Sequence, residues 1–169
     1  MLEDWDDQRE DLGYIMKVIC KKKIIEDLEL KKLTTHLVNN YGYTLEIGRE
    51  YLIMGMVIYK EVNYLHYLID HNGSPYWLPY TLFDISDNNL SMDWHTNIFG
   101  ETEGGDLSML MGFYELCNDD DFYDLLIDRD YEATSVYFRR KMEVEKMELE
   151  KKDIPVGLII NQWWKKREL

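Results

Sequence analysis

The sequence predicts an α+β fold: a small five-stranded antiparallel β-barrel or sheet flanked by N-terminal and C-terminal α-helices. Three observations lead there. Between Gly48 and Trp94 the chain breaks into short runs rich in aromatic and β-branched residues, separated by Gly, Asn, Asp and Pro, as consecutive strands and tight turns require. Before Gly42 and after Leu107, apolar residues recur instead at spacings of three and four, as on one face of a helix. A hydrophobic fraction of 46% with 14% aromatics, in 169 residues, is enough to bury one sizeable core. A single domain over 1–169 is expected. Its parts are a helical segment over 1–42, the barrel over 48–95, helices over 107–152 and a tail over 153–169.

Leu12, Ile15, Met16 and Ile19, then Leu30, Leu33 and Leu37 beyond the Lys21-Lys22-Lys23 run, predict two helices or one bent helix. Asn39-Asn40-Tyr41-Gly42 stops it, because Asn and Gly accept the left-handed conformation that ends a helix. Strands are predicted over residues 50–59, 64–70, 76–78, 82–85 and 90–94. His71-Asn72-Gly73 joins the second to the third with the chemistry of a tight hairpin. Pro75 and Pro79 bracket Tyr76-Trp77-Leu78, and since Pro donates nothing to a ladder this is an edge or a short bent strand, with Trp77 expected in or beside the core. Five short strands with close turns favour a barrel, whose closure removes most edges.

Residues 101–106 form a Gly-rich acidic loop, after which Leu107, Leu110 and Met111 begin a helical pattern reaching Leu116. Asn118-Asp119-Asp120-Asp121 reads as a helix N-terminus with capping carboxylates. Tyr131, Phe138, Met142 and Leu149 mark the apolar face of a final helix, which Pro155 ends. Trp163-Trp164-Lys165-Lys166-Arg167 mixes rings with bases, too short a signal for nucleic acid in a chain of net charge −14.

That charge is uneven. Residues 1–40 carry −2, 41–100 carry −5, 101–132 carry −10 and 133–169 carry +3. Such a middle segment repels phosphate backbones and speeds association with a basic protein surface. Direct nucleic-acid binding is disfavoured. The acids of Met1-Leu2-Glu3-Asp4-Trp5-Asp6-Asp7 do not suit a signal peptide, and no apolar run approaches the roughly 20 residues that span a bilayer. With only Cys20 and Cys117, read as buried thiols, a cytoplasmic location and no membrane contact are expected.

No phosphate-binding glycine pattern, nucleophile elbow, calcium loop or close His/Cys pairing is present, so no cofactor, metal or catalytic residue is expected. The chain reads as a binder. Its candidate partner-binding residues are Tyr76, Trp77, Glu101, Glu103, Asp106, Asp119, Asp120, Asp121, Asp124 and Asp128.

Over residues 45–145, Gly48-Arg49-Glu50-Tyr51, Tyr67-Leu68-Ile69-Asp70, Pro75-Tyr76-Trp77-Leu78-Pro79 with Leu82-Phe83, Gly112-Phe113-Tyr114-Glu115-Leu116, Asn118-Asp119 and Tyr123-Asp124 carry a resemblance. The stretch resembles bacterial immunity proteins of polymorphic-toxin, contact-dependent growth-inhibition systems. The resemblance implies a Src-homology-three-like barrel followed by helices, and a cognate toxin domain, commonly a basic nuclease, as partner. Two alternatives stand beside it. One is a scaffold or reader whose aromatics bind a peptide or a methylated cation, and the other an acidic mimic of nucleic acid that blocks a DNA-binding protein.

Overall fold

The computed structural model describes residues 16–23, 45–61, 63–90 and 93–152. The rest of the expected N-terminal helices and the whole tail from residue 153 lie outside them. The fold is α+β, with a largely antiparallel sheet and three helices among the described residues. In chain order the strands are β1 (Lys17–Cys20), β2 (Glu50–Tyr59), β3 (Leu65–His71), β4 (Ser74–Pro79), β5 (Phe83–Asp87), β6 (His95–Ile98) and β7 (Leu107–Gly112). The helices α1 (Tyr114–Asn118), α2 (Phe122–Ile127) and α3 (Tyr131–Lys152) follow.

The expected five-stranded barrel is corrected to an open sheet of seven strands. One path runs β4-β3-β2-β1-β5, and β7 with its neighbour β6 branches from β2. The branch is possible because β2 is long. Its free edge pairs first with β1, over Glu50 to Leu52, and then with β7, over Gly55 to Tyr59, while its other edge pairs with β3. A bulge between Ile53 and Gly55 on the β3 side separates the two halves.

Alternation along β2 places a core on each face of the sheet. Tyr51, Ile53 and Met56 join Val18, Cys20, Leu45, Ile69, Leu82 and Phe83 on one side. Met54, Val57 and Tyr59 join Leu68, Trp77, Leu110, Leu116, Phe122 and Tyr137 on the other, under the helices. Met54, the residue without a partner on β3, resets the alternation, so that Met54 and Met56 face opposite ways. Trp77 is only 4% exposed and belongs to the helix-side core.

Apolar spacings that fit a helix and a strand alike account for two of the sequence predictions that failed. Met16 and Ile19 were expected on a helix, yet residues 17–20 form β1, with Val18 and Cys20 inward at period two. Leu107, Leu110 and Met111 were expected to open a helix, but they lie in β7. There Leu107 pairs with Tyr59 and Met109 with Ile58, so Ser108 is an extra residue. That insertion puts Leu107 and Leu110 on one face three residues apart, which imitates helical spacing. Residues 90–94 were expected as a strand, and the strand is instead the exposed β6 just after them.

The hairpin at Asn72-Gly73 is as expected, with both residues at positive φ, 52° and 74°. Pro75 and Pro79 sit in β4, an end strand of the sheet, where a missing donor costs least.

α3 was expected to bury Tyr131, Phe138, Met142 and Leu149. Tyr131, Met142 and Leu149 are instead 84%, 68% and 62% exposed, and the inward residues are Ala133 and Tyr137. Ion pairs finish the attachment: Lys141 with Asp70 on β3, Arg140 with Glu115 on α1, and Lys17 on β1 with Glu148. Burial works against the Glu115 carboxylate, but the hydrogen bonds from Arg140 outweigh it and hold its pKa below the ordinary value. At the start of α3, Asp130 Oδ1 accepts from the backbone N–H groups of Glu132 and Ala133, at 2.9 and 3.0 Å, a capping carboxylate at the helix N-terminus.

Two measurements follow from this packing. A Cβ on Gly112 would lie 2.9 Å from the Met54 carbonyl oxygen and 2.8 Å from Leu116 Cδ2, and backbone cannot step aside as a side chain can. Gly112→Ala should therefore lower unfolding free energy by about 1–3 kcal/mol in urea denaturation; an unchanged midpoint would show that the strands are less closely apposed.

His66 on β3 is fully buried, edge-on to Tyr59 at 5.0 Å, with its Nδ1–H donated to the Tyr64 carbonyl at 3.4 Å. Burial pushes its pKa from 6.5 down to about 4, against the weak pull of that carbonyl. Between those values the unfolded chain binds a proton that the folded chain does not. The stabilising contribution is thus complete above about pH 6.5 and is lost as pH falls toward 4, by about 3 kcal/mol in all. His66→Leu should flatten the stability profile in that window, and an equally steep profile in the variant would remove His66 as its source.

Candidate acidic binding site

At the end of the sheet where β2 finishes and β7 begins, the strands, the loop over 99–106 and the α1–α2 connection enclose a concavity of about 620 Å³. Its floor is apolar, made of Leu107, Leu110, Leu116 and Cys117 with Tyr59, Tyr123 and Ile127. Its rim is acidic: Asp106 from the loop, Asp119, Asp120 and Asp121 from the connection, Asp124 from α2, and Glu61 just beyond β2. These carboxylates are exposed, and among the described residues no lysine or arginine lines the concavity.

Local geometry explains the gathering. Tyr59 pairs with Leu107, and the Lys60 N–H donates to the Asp106 carbonyl at 2.8 Å, which fixes the loop end against β2. The Lys60 ammonium donates to the carbonyls of Glu101, Glu103 and Gly105, so this cation is spent on holding the loop's backbone. On the opposite wall, Asp121 takes the left-handed conformation, φ 62°, that turns the chain from α1 into α2. Carboxylate capping was expected here. No side chain caps α2, so these acids point outward with no partner in the fold's own hydrogen bonding among the described residues.

Beneath the rim, the Tyr59 and Tyr123 hydroxyls meet at 2.6 Å and tie β2 to α2. Burial raises both pKa values, that of Tyr59 to about 12, and the carboxylate of Asp106 adds to the rise. Both rings are neutral at physiological pH. The Cys117 thiol donates to the His95 carbonyl at 3.3 Å, and burial pushes its pKa up to about 11, far from a thiolate nucleophile at neutral pH. Cys20 and Cys117 are both free and buried.

Of the residues singled out from the sequence, the fold brings together Asp106, Asp119, Asp120, Asp121 and Asp124. Glu101 and Glu103 are exposed on the same loop outside the concavity, and Asp128 is exposed beyond α2. Tyr76 lies on β4 with the Arg129 guanidinium 4.9 Å over its ring and its hydroxyl accepting from Arg129 Nη2 at 2.6 Å. Trp77, buried, offers no surface to a partner. Sequence reasoning missed Glu61, because its place beside the loop depends on the β2–β7 pairing, and the floor, because residues 107–116 read as a helix.

Among the described residues no group of three or more His, Cys, Asp or Glu side chains is placed to hold a metal ion, and no helix is long and apolar enough to cross a membrane. No family model matches the chain, and neither a curated protein nor a solved structure shows significant similarity to it.

The tyrosine pair is testable by a double-mutant cycle. Removing one hydroxyl leaves the other buried without a partner, whereas removing both leaves none. Tyr123→Phe or Tyr59→Phe alone should cost about 1–3 kcal/mol, and the double variant less than the sum. Strict additivity would deny the contact.

Proposed function

We propose that this chain is a non-enzymatic immunity protein that neutralises a cognate toxin domain, one with a basic, nuclease-type surface, by protein–protein contact at the acidic concavity. The observation that carries this reading is the convergence of five aspartates from two segments, with Glu61, around an apolar floor that no cation among the described residues lines. A lysine or arginine entering there would lay its aliphatic stem on Leu107, Leu110 and Ile127 while its charged head met the rim. Catalysis is disfavoured by the state of the reactive groups, since His66 is sealed in the core and the Cys117 thiol is protonated. The protein would act in the cytoplasm, where the toxin's substrate lies. Neutralising a lethal enzyme requires nearly complete occupancy, hence nanomolar affinity or better, on the order of −12 kcal/mol.

A reader of peptides or methylated cations is the second reading, favoured by Tyr59, Phe99 and Tyr123 lying beside carboxylates in one concavity. Millimolar trimethyllysine peptide shifting the tyrosine resonances would support it.

Expressing the basic toxin domain encoded beside this gene, with and without this chain, tests the first reading. Survival only in its presence is expected, and equal killing with soluble protein in excess would refute it. For the interface, Asp120→Lys with Asp121→Lys and Asp124→Lys should slow association by about tenfold or more at low salt and flatten its salt dependence. An unaltered rate would place the contact elsewhere.

A further inference from the structure

We propose that the outer face of α3 is a self-association surface, on which two copies of this chain pack antiparallel about a two-fold axis. At about 100° per residue, Tyr131, Phe138, Met142 and Leu149 fall within about 40° of one another on the helix surface. That stripe lies on the far side of the helix from Ala133 and Tyr137, which face the sheet. Three of its four side chains are more than 60% exposed, and Phe138 is half-buried beside Tyr137. The sheet takes the Ala133 and Tyr137 side of the helix, which among the described residues leaves the longer apolar side chains of the stripe exposed.

The pattern of the stripe selects a second copy as the occupant. With the axis at the level of Arg140, Tyr131 of one copy meets Leu149 of the other, and Phe138 meets Met142. An isologous contact requires this self-complementarity. Along one flank of the stripe the charges alternate: Glu132, Arg139, Glu143, Lys146. An antiparallel two-fold brings this flank against itself and so sets Glu132 against Lys146 and Arg139 against Glu143, whereas parallel packing would set it against the opposite flank of the stripe. The net −14 of the chain opposes self-association elsewhere, but α3 holds five acids and six bases, so contact there meets little repulsion. No residue lining the acidic concavity belongs to α3, so a dimer would leave that concavity open.

Sedimentation equilibrium on the full chain at about 100 μM, well above the Kd of a micromolar contact, tests this. The wild type should be dimeric. Met142→Glu with Leu149→Glu should weaken the dimer by about a hundredfold, by setting unpaired charge in the apolar seam, and should leave the melting temperature of the dilute protein unchanged. Lys146→Glu should weaken association, and adding Glu132→Lys should restore it. A monomeric wild type, or a dimer indifferent to these substitutions, would overturn the proposal. So would a dilute double variant that melts earlier, since the stripe would then be covered by the chain's own residues.

Discussion

At Gly55 and Gly112 two strands face each other with no side chain between them, and Leu116 lies across both. A Cβ at Gly55 would come within 2.6 Å of Leu116 Cδ2, so the pair must stay bare for α1 to reach the sheet. This close approach sits where β2 changes partners from β1 to β7 and where its bulge resets the alternation of side chains. Everything on the helical side follows from it. Leu116 seats α1, Phe113 meets Phe122 of α2 edge-on at 5.7 Å, and Phe113 in turn meets Tyr137 of α3.

The acidic concavity inherits its shape from the same strand. Its floor comes from β7 and α1, one wall from the loop that Lys60 holds at the end of β2, and the other from the α1–α2 turn. No side chain makes a capping hydrogen bond to α2, so the acids of the connection are not committed there. Their placement is a by-product of packing beneath them, chiefly the Tyr59–Tyr123 contact. A rim of uncommitted charge over a rigid floor suits recognition, because the charges need not abandon internal partners to meet an external one.

Much of this was legible in the sequence where one periodicity dominates. β2 begins and ends where its aromatic and β-branched run does, and Asn72-Gly73 fixed the β3–β4 turn by backbone preference alone. Legibility failed where the apolar residues of a strand also fall at helical spacing. β7 looked helical because Ser108 is an added residue, and β1 was hidden because Met16 and Ile19 fit a helix as well as Met16, Val18 and Cys20 fit a strand. The acids were readable as a charged segment, but which of them converge depends on the β2–β7 register, a non-local fact. On α3 the more apolar face was the wrong one to bury: Tyr137 and paired charges face the sheet, and the long apolar residues do not.

One strand, β2, serves two cores, so neither can unfold without the other. Amide hydrogen exchange of the free chain, followed through increasing sub-denaturing urea, reads this directly. If β2 couples the faces, the protected amides of β1 and β3 and those of β7 and α1 should open with the same free energy and the same urea dependence, in one cooperative step. Loss of protection in β7 and α1 at urea concentrations that leave β1 and β3 intact would contradict the account, since the helical face and its concavity would then be a separately folding unit.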